Sequence, residues 1–357
     1  MCSRRYLRTT STEDGPSLEF VPCPLCGQSG AFLSLRITSK DLHIQKYGAL
    51  YAGNALSRWA ACSRCGFVHQ NPRPSLASLA HFYASGQYHP PELPSDVKKY
   101  LRFANWYYRE KVEYAIAHSG KPVGSVLEIG AGLGGALLLF SERNWEVFGV
   151  EPDERQAQFA SRALGVPNVR NGMVDDGFML KNKVDLVFSN HAFEHFADLD
   201  AVMRAIARVL KPGGRIFTTV PTYLDNRSTV SKQWMNSAHY SLFTDRSLNQ
   251  LFSRFGFKEI SHTYRGWSKE IDDLWHVAEF RAEPADPTQY YEDAIAVQRY
   301  VNIYNPIRSV FYAPLFAGYS KRVAVLTGLV TAWSLFRQAP ITFLMNLPGH
   351  LRRWWAR

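Results

Sequence analysis

The run Val126-Leu127-Glu128-Ile129-Gly130-Ala131-Gly132-Leu133-Gly134-Gly135 constrains this chain more than any other segment. It reads as a buried strand entering a glycine-rich turn at a helix start. A second apolar run, Val147-Phe148-Gly149-Val150, ends on Glu151. A strand, a tight glycine turn, a helix and a carboxylate at the tip of the next strand make a nucleotide-cofactor site. Glycines let the backbone approach a ligand without Cβ clashes. A carboxylate can accept hydrogen bonds from two ribose hydroxyls at once. The ligand expected is an adenosine-containing cofactor.

Gly130, Gly132 and Gly135 satisfy the dinucleotide spacing G-x-G-x-x-G, but Gly134 makes that reading ambiguous. Glu128, two residues before the first glycine, breaks the tie. A carboxylate there would repel a pyrophosphate. It suits a ligand that carries a cationic sulfonium and an ammonium group. Downstream, strand and helix patterns alternate over 124–130, 135–143, 146–151, 153–164, 184–190, 197–210 and 214–220. This spacing predicts βαβ units and a mostly parallel sheet with helices on both faces.

The pattern Glu128-x-Gly130-x-Gly132-x-Gly134 resembles motif I of the class I S-adenosylmethionine (SAM) methyltransferases. Glu151 resembles that family's ribose-binding acid, and Asp185-Leu186-Val187-Phe188-Ser189-Asn190 its fourth strand. Arg208-Val209-Leu210-Lys211-Pro212-Gly213-Gly214-Arg215-Ile216 looks like the helix, turn and fifth strand that follow. His239-Tyr240-Ser241-Leu242-Phe243-Thr244 and Gly256-Phe257 echo the segment before the last strands. The resemblance implies a Rossmann-like α/β fold and SAM as cofactor. The contacts it implies come from Glu128, Gly130, Ala131, Gly132 and Gly134, from Glu151 and Pro152, and from Asn190 and His191.

Cys23-Pro24-Leu25-Cys26 and Cys62-Ser63-Arg64-Cys65 are two C-x-x-C pairs separated by 35 residues. Two such turns build a closed, tetrahedral four-cysteine zinc site, which folds a segment rather than catalyses. Disulfides are the other reading. No signal-peptide pattern is visible, so a reducing, cytoplasmic setting is expected. Four thiolates on one zinc ion would lower the formal charge of +10 to about +8. The sequence from Cys65 through Pro72-Arg73-Pro74-Ser75, with Phe82-Tyr83 and Tyr88-His89, resembles the zinc-bearing N-terminal domain of methyltransferases acting on nucleotide-linked sugars and polysaccharide precursors, among them sugar C-methyltransferases. Zinc-bearing ribosomal-RNA methyltransferases fit the run from Asn71 to Tyr88 less well.

These readings divide the 357 residues into a flexible N-terminus (1–20), a zinc unit (21–90), a methyltransferase domain (91–285) and a mainly helical C-terminal region (286–357). Residues 95–119 read as an amphipathic helix with Tyr, Phe and Trp on one face, and 221–243 as a long connection at the sheet's carboxyl edge. The last 57 positions hold seven Arg or Lys and ten aromatics, with no Asp or Glu. Their apolar runs fall short of the ~20 residues of a spanning helix. Basic ends beside Trp fit an interfacial helix on anionic lipid over 337–357. Packing on the core is the other reading. Residues 1–300 carry 34 basic and 31 acidic side chains, which argues against a nucleic-acid track.

Methyl transfer needs an acceptor atom held in line with the sulfur–methyl bond, and a hydroxyl or carbon acceptor also needs a base. Glu194 and His195 follow the fourth strand, and resemble a Glu-His pair that recurs in many class I methyltransferases. In some sugar C-methyltransferases the matching His is the proposed base; elsewhere the pair is structural or binds a metal. His239 ends the long connection, and Tyr88 could close the pocket from the zinc unit. Tyr223, Asp225 and Trp234 are candidates for the acceptor wall. The expected activity is methylation of a small molecule, a sugar nucleotide or glycan precursor. An RNA methyltransferase and a non-catalytic SAM-binding membrane adaptor stand as alternatives. The methylated atom and the oligomeric state are not legible.

Overall fold

The computed structural model describes residues 18–35, 59–78, 92–222, 238–265 and 273–302. Tyr88, Tyr223, Asp225, Trp234 and the basic tail fall outside them. Five short strands come first: β1 (Leu18–Glu19), β2 (Phe32–Ser34), β3 (Trp59–Cys62), β4 (Val68–Gln70) and β5 (Arg73–Pro74). Helix α1 (Val97–Ala117) follows. The α/β core then runs through β6 (Ser125–Ile129), α2 (Gly135–Ser141), β7 (Glu146–Glu151), α3 (Glu154–Gln158), β8 (Val169–Asn171), β9 (Val184–Asn190), α4 (Leu199–Val209) and β10 (Leu210–Pro221). The chain continues through β11 (Ser241–Leu242), α5 (Asp245–Ser253), β12 (Phe257–Arg265), β13 (Asp273–Phe280) and α6 (Ala294–Asn302).

The central sheet has seven strands in the order β12-β13-β10-β9-β6-β7-β8. β6 pairs in parallel with β7 and β9, β9 with β10, and β7 with β8. β13 runs antiparallel to both β10 and β12. This is the Rossmann-like fold expected, its sheet mostly parallel, with β13 the one antiparallel strand among the described residues. Strands buried on both faces need continuous apolar sequence, and β9 meets that need with Val184, Leu186, Val187 and Phe188 all buried. The strand order reverses beside β6, where the carboxyl ends of β6 and β9 diverge and leave a crevice for a ligand.

The cysteine-bearing strands pair with a strand from further along the chain. β11, which lies after the α/β core in sequence, pairs antiparallel with β4, giving a second sheet in the order β11-β4-β3-β2. Val297 and Val301 of α6 pack against Trp59, Val68 and Leu242 of that sheet. Cys23, Leu25, Cys62, Cys65 and Phe67 share one apolar core with Leu127, Ile129, Phe252 and Leu274. Among the described residues, strands from before and after the α/β core thus share one sheet, and α6 packs on it.

Helix α1 departs from its expected aromatic face. Its buried residues are Tyr100, Ala104, Lys111, Val112 and Ala115, whereas Phe103 and Trp106 are exposed. The buried stripe follows helical spacing, but a lysine occupies a place in it that the pattern reserves for an apolar side chain. Among the described residues no helix is long and apolar enough to cross a membrane.

Candidate active site

The turn after β6 is built by backbone conformation. Gly130, Gly132 and Gly134 have φ of 74°, 53° and 80°, in the left-handed region that glycine enters at little cost. Gly134 caps α2, and a Cβ there would stand 2.7 Å from the Ala160 Cβ. The amides of Gly130 and Ala131 both donate to the Val150 carbonyl, at 3.0 Å. The turn is thereby tied to the tip of β7, where Glu151 begins the next loop.

Glu151 binds this turn directly. Its Oε2 accepts from the Gly132 amide at 2.8 Å, and Oε1 from the Asp153 amide at 2.9 Å. Each carboxylate oxygen has a second lone pair, so both can still accept from ribose hydroxyls. Burial pushes its carboxyl up to about 7, against the pull of those two amides.

A cavity of about 740 Å³ lies at the carboxyl edge of the sheet. Gly130, Gly132, Glu151, Pro152, Asn190, His191 and His195 line it, with Tyr100, Phe103 and Tyr108 of α1 along one wall. Three residues expected at the cofactor do not line it: Glu128, Ala131 and Gly134. Glu128 is buried beneath the turn, and burial, with Glu151 nearby, raises its carboxyl well above the usual range. Tyr100, Ala104 and Tyr108 of α1 crowd against Gly135, where a Cβ would meet each at 3.0 Å or less.

Sequence reading missed the polar group that fixes the far wall. Lys111 Nζ donates to Asn190 Oδ1 at 2.8 Å and stands 3.8 Å from Asp273 Oδ2. Thr219 Oγ1 donates to the same Asn190 oxygen at 2.9 Å. His191 adopts φ of 52°, and its Nε2 lies 3.1 Å from Asp273 Oδ2. Burial alone would lower the His191 pKa, but Asp273, Tyr107 and Glu194 hold it well above the ordinary histidine value. The only sequence signal was the lysine inside the apolar stripe of α1; its partners lie on β9 and β13, far along the chain. Lys111→Met should leave Asp273 buried with one cation fewer and lower stability by about 3–5 kcal/mol, read as a fall in denaturation midpoint. A midpoint equal to wild type would mean that His191 alone neutralises Asp273.

Glu194, His195 and His239 come together as a cluster. Their ligand atoms all lie within 4.8 Å of one another, and the His195 and His239 rings meet edge to face at 4.6 Å between centroids. Glu194 is fully buried, and among the described residues its carboxylate is met by the His191 imidazole rather than by a backbone amide. Its closest cation is His191, with Nδ1 at 3.4 Å. Burial pushes the Glu194 carboxyl up, but the His191, His195 and His239 imidazoles overcome this and hold it at about 2. Burial lowers the pKa of His195, whose Nδ1 lies 2.9 Å from the Ala238 carbonyl.

His239 reaches this cluster through the cysteine-bearing sheet. Its carbonyl accepts from Gln70 Nε2 of β4. The neighbouring Tyr240 amide donates to the Glu194 carbonyl at 2.7 Å, and the Gln70 amide to the Tyr240 carbonyl at 2.8 Å. Arg73 Nη1 donates to the Ala197 carbonyl at 2.6 Å, and Tyr240 hydroxyl to the Pro74 carbonyl at 2.9 Å.

The four cysteines also converge. Cys23 Sγ lies 3.6 Å from Cys65 Sγ, and Cys26 Sγ 3.5 Å from Cys62 Sγ. Thiolates 2.3 Å from a tetrahedral zinc stand roughly 3.8 Å apart, far beyond the ~2.05 Å of a disulfide. The donor set and its spacing fit zinc.

Comparison with known proteins agrees with this geometry. Residues 100–262 match a family model described as a methyltransferase domain. The chain carries a SAM-dependent methyltransferase domain. It is 36% identical over 95 residues to the uncharacterized methyltransferase YcgJ of Bacillus subtilis, covering 25% of this chain and 38% of that protein. It is 27% identical over 161 residues to the C-methyltransferase NovU of Streptomyces niveus, covering 43% of this chain and 38% of that protein. The chain thus spans about two fifths of the length of these curated relatives. Among solved structures, the glycopeptide N-methyltransferase MtfA in complex with S-adenosylhomocysteine aligns with a TM-score of 0.41 at 16% identity, covering 48% of this chain and 90% of that one.

Proposed function

We propose that this protein transfers a methyl group from SAM to a small-molecule acceptor, a sugar nucleotide or glycan precursor. The observation that carries this reading is the cavity that joins Gly130–Gly132 and Glu151 to His195 at the sheet's carboxyl edge. Bound SAM supplies an electrophilic methyl group on a sulfonium sulfur. Glu151 would accept hydrogen bonds from the ribose hydroxyls, and the Gly130–Gly132 backbone would hold the nucleoside. The wall from Asn190 to His195 faces the part of the cavity left to the acceptor. The Glu194–His195–His239 cluster activates that acceptor: the His195 Nδ1 hydrogen bond to the Ala238 carbonyl orients the ring, and the acceptor's proton departs through this cluster. NovU is a C-methyltransferase, which supports carbon as the atom methylated. The four cysteines hold a structural zinc ion, and 337–357 rest on an anionic membrane surface from the cytoplasmic side.

The test is formation of S-adenosylhomocysteine from SAM with a panel of sugar nucleotides. His195→Asn should lower kcat by about 10²–10⁴-fold while leaving S-adenosylhomocysteine affinity within a few-fold of wild type. A kcat unaffected by the substitution would remove His195 from the chemistry.

A further inference from the structure

Helix α1 leaves one face outside the fold. By helical periodicity Lys98, Lys99, Arg102, Phe103, Trp106 and Arg109 fall within an arc of about 140°, opposite the buried stripe, and all six are exposed. Phe103 is 45% exposed and Trp106 64%, and their rings stand 6.0 Å apart. Phe103 also lines the cavity, and so does Leu76, which follows β5 and is 52% exposed. These two side chains mark an apolar mouth, with the cations of α1 beside it. The acids next to this face already have partners. Glu110 pairs with Arg265 at 3.1 Å and Glu113 with Arg143 at 3.1 Å, while Asp96 caps the helix by accepting from the Lys99 amide.

We propose that this face of α1 docks the protein on an anionic lipid bilayer, with the cavity mouth turned toward the membrane. The contact is separate from the one proposed for 337–357. Aromatic residues interleaved with Lys and Arg are the pattern of a helix lying in the membrane interface: the rings enter the boundary between headgroups and acyl chains, and the cations meet lipid phosphates. Long Lys and Arg stems let the charges reach the headgroups while the rings sit deeper. Charge favours a bilayer over a second copy of this chain. Two such faces packed together would set Lys98, Lys99, Arg102 and Arg109 against the same four cations, which repel. A bilayer also keeps the mouth within reach of an acceptor that carries a lipid chain, whereas a protein seated on Leu76 and Phe103 would cover it. Docking is independent of which group the cavity transfers.

Full-length protein is sedimented with vesicles of phosphatidylglycerol and phosphatidylcholine in equal parts, and with vesicles of phosphatidylcholine alone. Binding to the anionic vesicles is expected, weaker by at least ~10-fold on phosphatidylcholine. The double change Lys98→Gln/Arg102→Gln should lower it by about 30-fold, and Trp106→Gln by at least ~10-fold. Ile295→Gln, which removes an exposed apolar side chain on α6, should bind as wild type does. None of these residues lines the cavity, so retained S-adenosylhomocysteine affinity shows that each variant is folded. Wild-type protein that ignores anionic vesicles overturns the docking face. So does binding that survives both α1 changes and disappears only in Arg352→Gln/Arg353→Gln/Arg357→Gln, which places the contact in the tail alone. A change of oligomeric state in Trp106→Gln with unaltered vesicle binding assigns the face to a second copy and overturns it too. Vesicle binding that depends on α1 in a protein without S-adenosylhomocysteine affinity supports the docking face and overturns the methyl-transfer reading.

Discussion

Glu151→Ala is expected to weaken S-adenosylhomocysteine binding by roughly 100-fold to 20,000-fold, since two charge-assisted hydrogen bonds to ribose contribute about 1.5–3 kcal/mol each. The substitution also takes acceptors from the amides of Gly132 and Asp153, so the glycine turn loosens as well. Glu151→Gln separates the two effects, because it keeps one acceptor oxygen and nearly the same volume. Calorimetric titration measures both, and wild-type affinity in the alanine variant would remove Glu151 from the cofactor site.

The same carboxyl makes binding pH-dependent. Burial lifts it to about 7 from an ordinary value of 4.5. Between these values the folded chain keeps a proton that the unfolded chain gives up. Its contribution to stability is therefore full below 4.5 and is lost as pH rises through about 7. Ribose hydroxyls donate to the ionised form, so S-adenosylhomocysteine affinity should increase as pH rises through this window. Proton release on binding at pH near 6, seen as a dependence of the heat on buffer ionisation enthalpy, checks the sign.

Cys62→Ser is expected to have the largest effect on stability. The Sγ–Sγ distances of 3.5 and 3.6 Å match four ligands around one zinc ion, and structural zinc sites bind with about 10–16 kcal/mol in small peptides. Losing one thiolate should release the metal and expose Cys23, Leu25, Cys65 and Phe67, which share the core of the α/β sheet. Metal analysis together with thermal unfolding gives the readout: zinc content should drop below one per chain and the transition should fall or broaden. An unchanged transition in metal-free protein would mean that packing alone holds the cysteine cluster.

What the sequence made legible was local. The strand, glycine turn and acid from Val126 to Glu151 span 26 positions, and each feature follows from neighbours in the chain. The C-x-x-C pairs were readable because each pair is one turn. The placement of His239 beside Glu194 was not, since it depends on β11 pairing with β4 across the fold. Lys111 was hidden for a related reason: in isolation it reads as a flaw in an apolar stripe, and only Asn190 and Asp273 give it partners. Glu128 lies on the strand the sequence assigned it to, and its burial there follows from the packed fold rather than from its neighbours in the chain.

The pairing of β4 with β11 also bears on how this protein can be dissected. Every cavity-lining residue among Gly130, Gly132, Glu151, Pro152 and Asn190 lies downstream of the cysteine-bearing segment, so a fragment starting near residue 95 retains them all. That fragment lacks Gln70, whose side chain and backbone hold His239 and Tyr240 beside Glu194. The residues that fix His239 beside Glu194 thus lie upstream of the glycine turn, while the cluster itself lies downstream of it. A shortened version would keep the glycine turn and Glu151 but lose the strand that seats His239, so binding of S-adenosylhomocysteine and turnover should part in it.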